Sequence, residues 1–306
     1  MRNGTIIKSK ISVLLFLFIS GIQLGYSQKL EDFVSKYSGA NGTGYMQPLS
    51  DAFGANMNSG LFRDAKVKKK GFQMYLGLVT TTAMISNNSK TFNAQTEEGF
   101  SPSQTVVAPT IFGSTSMVSA KGNEGTETYF PGGLGMNILP VAFPQLSIGS
   151  VLGTEATIRF YAFDVNEDLG KLNMLGLGVR HSISQYLIES FPVDLAVGYY
   201  WNSFSVGNIV DAKSNFISMQ GSFDTGVLTF YSGLGLGSSN MDLEYTTDQT
   251  GEEETINLAL ETKNKPKFTL GMGLNLGAFR LNADYNFGVE NVFSAGLGFA
   301  FGGDQE

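Results

Sequence analysis

From Lys267 onward the chain alternates, Phe268, Leu270, Met272, Leu274 and Leu276 falling opposite Thr269, Gly271, Gly273 and Asn275. A period of two predicts a strand with one apolar face. The alternation returns with Phe279, Leu281, Ala283, Tyr285 and Phe287 against Arg280, Asn282, Asp284 and Asn286. It returns once more with Phe293, Ala295, Leu297, Phe299 and Phe301 against Ser294, Gly296, Gly298 and Ala300. Each segment has the length, about 9–11 residues, with which a tilted strand crosses a bilayer.

Upstream, Ala156, Ile158, Phe160 and Ala162 oppose Glu155, Thr157, Arg159 and Tyr161, while Leu175, Leu177 and Val179 oppose Gly176, Gly178 and Arg180. Val193, Leu195, Val197, Tyr199 and Trp201 oppose Asp194, Ala196, Gly198, Tyr200 and Asn202, and Leu228, Phe230, Leu234 and Leu236 face away from Thr229, Tyr231, Gly233 and Gly235. Weaker strands are expected over 72–80, 145–149, 215–223, 241–246 and 255–261, with one or two more between 84 and 130, giving about 12 to 14.

A soluble sandwich shows the same period, its apolar face turned to a core. Its outer face carries Lys, Glu, Thr and Arg, whereas here the second face is mainly Gly, Asn and Ser with scattered charges. The fold class expected is therefore all-β: a transmembrane antiparallel β-barrel with a crowded polar lumen and lipid outside. Aromatics at segment ends, such as Tyr199, Trp201, Tyr285, Phe287, Phe299 and Phe301, would form its girdles.

The first residues read differently. Arg2, Lys8 and Lys10 precede the apolar run Ile11–Ile19, and Gly25-Tyr26-Ser27 supplies small residues before Gln28. This predicts a secretory signal peptide over 1–27 and location in the outer membrane after export. Residues 28–66 are expected to form a helical plug or periplasmic segment, 67–301 the barrel and 302–306 a tail. Leu30, Phe33, Val34 and Tyr37 lie at helical spacing, stopped by Asn41-Gly42-Thr43-Gly44. A second short helix is expected from Gln47 to Met57, with Leu49, Ala52 and Phe53 on one face. The apolar face of such a plug, Leu30, Phe33, Val34, Tyr37, Leu49 and Phe53, either moves as a gate or fills a lumen too wide for side chains alone.

Composition narrows the chemistry. The chain has 306 residues with 38 Gly, no Cys, one His, 15% charged residues and a formal net charge of -7. Loss of the signal peptide would make it more acidic, a poor nucleic-acid binder. Absence of Cys excludes disulfides, thiolate metal sites and cysteine nucleophiles. No Gly-x-Ser-x-Gly, His-Glu-x-x-His or EF-hand pattern occurs, and His181 shares the parity of the lipid-facing Leu177 and Val179. No catalytic residue, metal or cofactor is therefore expected; a lipid-acting enzyme ranks third among the functions considered. The Gly-x-Gly runs alternate with apolar residues inside strands, so they read as small lumen-facing positions rather than phosphate loops.

By parity Glu155, Arg159, Arg180, Asp194, Arg280 and Asp284 point into the lumen. Such a set reads either as a selectivity or gating constellation or as an internal salt-bridge network with no permeant. Lys66, Lys68, Lys69 and Lys70 form a basic cluster suited to anionic head groups or to a solvated junction. Residues 86–135 read as a long outer loop. The run Glu252-Glu253-Glu254 beside Asp248 falls at a hairpin end, where it would be solvated or bridge through divalent cations to lipopolysaccharide.

The signal peptide, the ten-residue strands and the final Gly-Leu-Gly-Phe-Ala-Phe resemble Gram-negative outer-membrane barrels. Pro-Gln-Leu-Ser-Ile-Gly-Ser and Gly-Thr-Glu-Ala-Thr-Ile-Arg-Phe, within 139–160, resemble an uncharacterised barrel family of Bacteroidota. The layout, an N-terminal segment before a mid-sized barrel, is similar to the long-chain fatty-acid outer-membrane transporters. The resemblance implies passage or uptake of a small, apolar solute, with outer-membrane lipid, lipopolysaccharide and the barrel-assembly machinery as partners. One departure is that Gly302-Gly303-Asp304-Gln305-Glu306 follow Phe301, where such barrels often end on the aromatic. The alternative function is a structural or assembly barrel that anchors loops or partner proteins.

Overall fold

The alternating segments form the wall of a closed antiparallel barrel. The computed structural model describes residues 39–97, 99–166, 170–187, 192–247 and 254–302. Strand β1 (Gln73–Met84) is followed by an insertion with two small hairpins, β2 (Thr91–Gln95) with β3 (Thr105–Pro109) and β4 (Val118–Lys121) with β5 (Glu127–Phe130). The wall resumes with β6 (Ile138–Val151), β7 (Thr154–Asn166), β8 (Gly170–Ser182), β9 (Asp194–Val206) and β10 (Val210–Asp224). It ends with β11 (Leu228–Thr247), β12 (Glu254–Leu276), β13 (Phe279–Phe287) and β14 (Asn291–Phe301), which closes on β1.

The wall thus has 10 strands, not the expected 12 to 14. Two causes account for the difference. The four strands of the insertion pair only with each other. In addition, 228–236 and 241–246 are one strand of 20 residues, and 255–261 and 268–276 are one of 23. A bulge where Asn264 takes φ 46° shifts the β11–β12 register, so the alternation changes phase inside a continuous strand.

One end of the barrel carries Gln73, Phe301 and the tight turns after β6 and β12; the other carries the insertion and the overlong β11–β12 hairpin. Short turns mark the periplasmic end of such barrels and long loops the outer end. Outward-facing side chains make an apolar belt, with Leu234 at 59% exposure and Leu270 at 48%. Closure gives every wall strand two neighbours, and along the paired stretches the backbone polar groups find partners within the wall, as lipid demands. Leu270→Arg should cost about 2–4 kcal/mol in denaturant titrations of vesicle-inserted protein; an unchanged midpoint would put this face in water.

The lumen has two storeys. In the periplasmic half many inward residues are polar, among them Ser147, Thr157, Gln220, Thr269 and Asn286, all buried, beside a small apolar cluster of Leu61, Phe62, Tyr200, Phe216 and Tyr231. In the outer half they turn apolar, with Val141, Leu172, Met174, Phe204, Met241 and Leu258 joining one core. That core surrounds helix α1 (Gly39–Met57), which buries Tyr45, Met46, Ala52, Phe53 and Met57 inside the barrel.

A single helix replaces the second expected one and runs through the expected stop at Asn41–Gly44. Its glycines serve close packing rather than termination: a Cβ on Gly44 would lie 2.4 Å from the Phe92 ring and one on Gly54 2.2 Å from Ser239 Oγ. Leu30, Phe33, Val34 and Tyr37 lie outside the described residues. Leu49 packs against the core, and the Phe53 ring sits 4.7 Å from that of Phe204.

Candidate functional site

Asn41 exchanges hydrogen bonds with the backbone of Gln95 in the insertion, so α1 starts at the outer mouth. It descends, and residues 58–65 continue down the lumen before β1 begins at the periplasmic end. The tail is held by two groups of wall side chains.

The first group meets the carbonyls at the helix end. Arg159, on β7 and 1% exposed, donates from Nη1 to Met57 O at 3.1 Å and from Nη2 to Ser59 O at 3.0 Å and Gly60 O at 2.5 Å. Its Nε donates to Gln145 Oε1 at 2.9 Å, and its guanidinium lies 4.8 Å from the Phe143 ring centroid. Asn202 Nδ2 also donates to Met57 O, at 3.3 Å, and Lys267 Nζ donates to Asn58 O. The last carbonyls of a helix lack intrahelical donors and carry the negative end of its dipole. Here the wall supplies the cap, with two cations. Gly60, at φ 62°, makes the turn at this point; its Cβ would meet Val79 at 2.5 Å.

The second group lies nearer the periplasm. Arg180 Nε donates to Glu155 Oε1 at 2.8 Å, and Arg63 Nη2 donates to Glu155 Oε2 at 2.9 Å. Arg180 also donates to Asp64, at Oδ1 over 3.1 Å and at the backbone carbonyl. Two wall residues and two tail residues therefore share one cluster, in which Glu155 and Arg180 are both 2% exposed. Below it Ala65 N donates to Ser222 Oγ at 2.8 Å.

The six lumen charges predicted from parity do not form one network. Glu155 and Arg180 pair directly, whereas Arg159 reaches the plug instead. Asp284 stands apart, accepting from Tyr231 Oη at 3.1 Å and Asn286 Nδ2 at 2.6 Å. Asp194 is half-buried at the periplasmic end of β9 and joins no ion pair among the described residues. Arg280 turns to the carbonyls of Gly277 and Phe279 at the β12–β13 turn. Both sit at strand ends, where inward parity leads to the rim rather than the lumen.

Three contributors were not singled out by pattern. Lys267 shares the parity of Thr269 and Gly271, which would have placed it inward. Arg63 and Asp64 lie in the expected plug, where no period exposes their direction. His181 sits at the end of β8, bonded through Nδ1 to Thr154 Oγ1 and through Nε2 to Tyr186 Oη, both at 2.9 Å. The run 252–254 follows β11 in the chain and ends at the first residue of β12; residues 248–253 and the Glu254 side chain lie outside what is described. At the outer rim Glu290 accepts from Ser86 N at 3.0 Å and from Ser89 Oγ, tying the insertion to the β13–β14 turn. Burial pushes its carboxyl above the ordinary range. Among the described residues no cluster of His, Cys, Asp or Glu could hold a metal ion.

Residues 7–301 match the family described as "Family of unknown function (DUF6588)". No curated protein matches the chain. Among solved structures, the attachment invasion locus protein Ail of Yersinia pestis is 11% identical, covering 76% of this chain and 100% of Ail, with a TM-score of 0.23. The outer membrane protease OmpT of Escherichia coli is 9% identical over 78% of this chain and 98% of its own, TM-score 0.31. The toluene transporter TodX of Pseudomonas putida is 12% identical over 84% and 76%, TM-score 0.29. Such scores carry no argument about what this chain does.

Proposed function

We propose, for a chain that belongs to this family of unknown function, that it is an outer-membrane barrel closed at rest whose lumen tail is a latch, opening for passage of a small solute. One observation carries the reading: the buried charges that hold the tail and have no counterpart around α1 among the described residues. The outer half is filled by apolar packing, the cheapest permanent filling. The tail packs Leu61 and Phe62 against Tyr200, Phe216 and Tyr231 but rests as well on buried charges, Arg159, Lys267, Glu155 and Arg180, whose desolvation often exceeds what pairing returns. A filler gains nothing from that cost, whereas a latch gains contacts that separate and re-form. Intramembrane ionisable groups facing a lumen are commonly functional.

Single-protein conductance in planar bilayers tests this. The wild-type barrel is expected to be silent, and the double variant Arg63→Ala with Asp64→Ala, which removes the tail's side chains from the cluster but keeps the wall intact, to show openings. Silence of both would favour the second reading, an anchor. That reading is supported by the insertion's hairpins standing over α1, with Tyr45 Oη donating to Gly132 O at 3.0 Å.

A further inference from the structure

The segment that joins the plug to the wall does not run down one side of the barrel. Ala65 N donates to Ser222 Oγ on β10, and Lys68 N donates to Gln73 Oε1 on β1 at 3.0 Å. In the closed ring four strands separate β10 from β1 in either direction, so the two anchors stand on opposite walls. Both lie at the periplasmic end, Ser222 near the last residue of β10 and Gln73 at the first of β1. Residues 65–73 are therefore a strap across the periplasmic mouth.

The strap is basic. Val67 is buried at 5% exposure, whereas Lys66, Lys69 and Lys70 are exposed and Lys68 is half-buried. Lys66, Lys69 and Lys70 enter no ion pair among the described residues. The carboxylates described at this end are Asp194, half-buried, and Asp224, whose Oδ1 accepts from Gly226 N at 2.7 Å. Higher in the lumen Arg63, Arg159, Arg180 and Lys267 outnumber Glu155, Asp64 and Asp284. The whole chain has a formal net charge of -7, so the positive sign along this path runs against its composition.

We infer that the strap is a charge filter that makes small anions the preferred solute, an inference that rests on the lumen opening as proposed for the latch. Lysine and arginine along a pore favour passage of anions. A mouth walled by low-dielectric protein focuses their field, which at physiological ionic strength reaches about 8 Å. On an open surface the same run would be a solvated face; crossing the mouth puts it in the way of whatever leaves the lumen. Release of the tail keeps the lysines there, because Gly71 and Phe72 tether them to β1.

Reversal potentials in planar bilayers under a KCl gradient test the inference on the full-length variant Arg63→Ala with Asp64→Ala, which loses one charge of each sign. Chloride is expected to permeate more readily than potassium. Adding Lys66→Gln, Lys69→Gln and Lys70→Gln, all at exposed positions, should lower the chloride-to-potassium permeability ratio toward one or below while openings continue. Unboiled gel mobility reports whether each variant is folded; if the lysine replacements do not fold, the ratio of the double variant decides alone. Openings that prefer potassium, or a ratio unmoved by the three replacements, overturn the filter and leave the latch standing. A silent double variant removes the passage and the filter with it.

Discussion

Arg159→Ala is expected to produce the largest loss of any single lumen substitution. Its guanidinium serves three plug carbonyls and Gln145 while almost fully removed from solvent. Alanine leaves Met57 O with Asn202 alone, and no other wall side chain reaches Ser59 O or Gly60 O among the described residues. Leaving a buried polar group unsatisfied costs about 1–3 kcal/mol, and breaking a buried charged contact from one side about 3–5 kcal/mol. The upper range applies here because several acceptors lose their donor together. Arg159→Lys recovers little, since an ammonium is a point charge and cannot span Met57 O and Gly60 O as a planar fork does. The check is the temperature at which the unboiled, fast-migrating form disappears. Wild-type behaviour of Arg159→Ala would mean that the carbonyl cage adds nothing to plug retention.

Glu155→Ala should come next, with a diagnostic reversal. Removing the carboxylate leaves Arg180 and Arg63, both positive and in a low-dielectric setting, to share Asp64 alone, at an expected cost of about 3–5 kcal/mol. Replacing both members of the wall pair, Glu155→Leu with Arg180→Leu, removes the stranded charge as well. A buried pair exchanged for apolar residues is often neutral in stability, so the double variant should be more stable than Glu155→Ala while holding the tail less firmly, because Arg63 and Asp64 lose their wall partners. The same heat series, read beside conductance, separates the two effects. A double variant as unstable as the single one would show that packing rather than charge dominates at this level.

The membrane storey was legible because lipid imposes one rule on one face: Phe268, Leu270 and Met272 could only point outward. The outer storey obeys the opposite rule. Beyond the apolar belt Met241 and Leu243 turn inward while Asp242 and Glu244 face solvent, so a reader following the first rule breaks one strand into two. The bulge at Asn264 reinforces that break on β12. The helix was misjudged at its start because Asn41–Gly44 carries residues that end helices in water, whereas inside a barrel Gly44 admits Phe92. For the site, Glu155, Arg159 and Arg180 were named on parity alone. Which of them pair with each other and which with the plug depends on where α1 ends, a tertiary fact that no period encodes. Arg63 and Asp64 became visible only once the tail was seen to pass β7 and β8.

The segment after α1 threads the lumen, held by wall side chains of β7, β8 and β10. Because the natural chain has no Cys, Ala65→Cys with Ser222→Cys tests it directly in outer membranes. Ala65 N and Ser222 Oγ are 2.8 Å apart although 157 residues separate them. Oxidation should close that loop and give a species of altered mobility on boiled, non-reducing gels, reversed by reductant. Failure to crosslink, while the wall pair Ser218→Cys with Gly198→Cys, facing each other across β9 and β10, crosslinks readily, would put residues 58–65 outside the lumen.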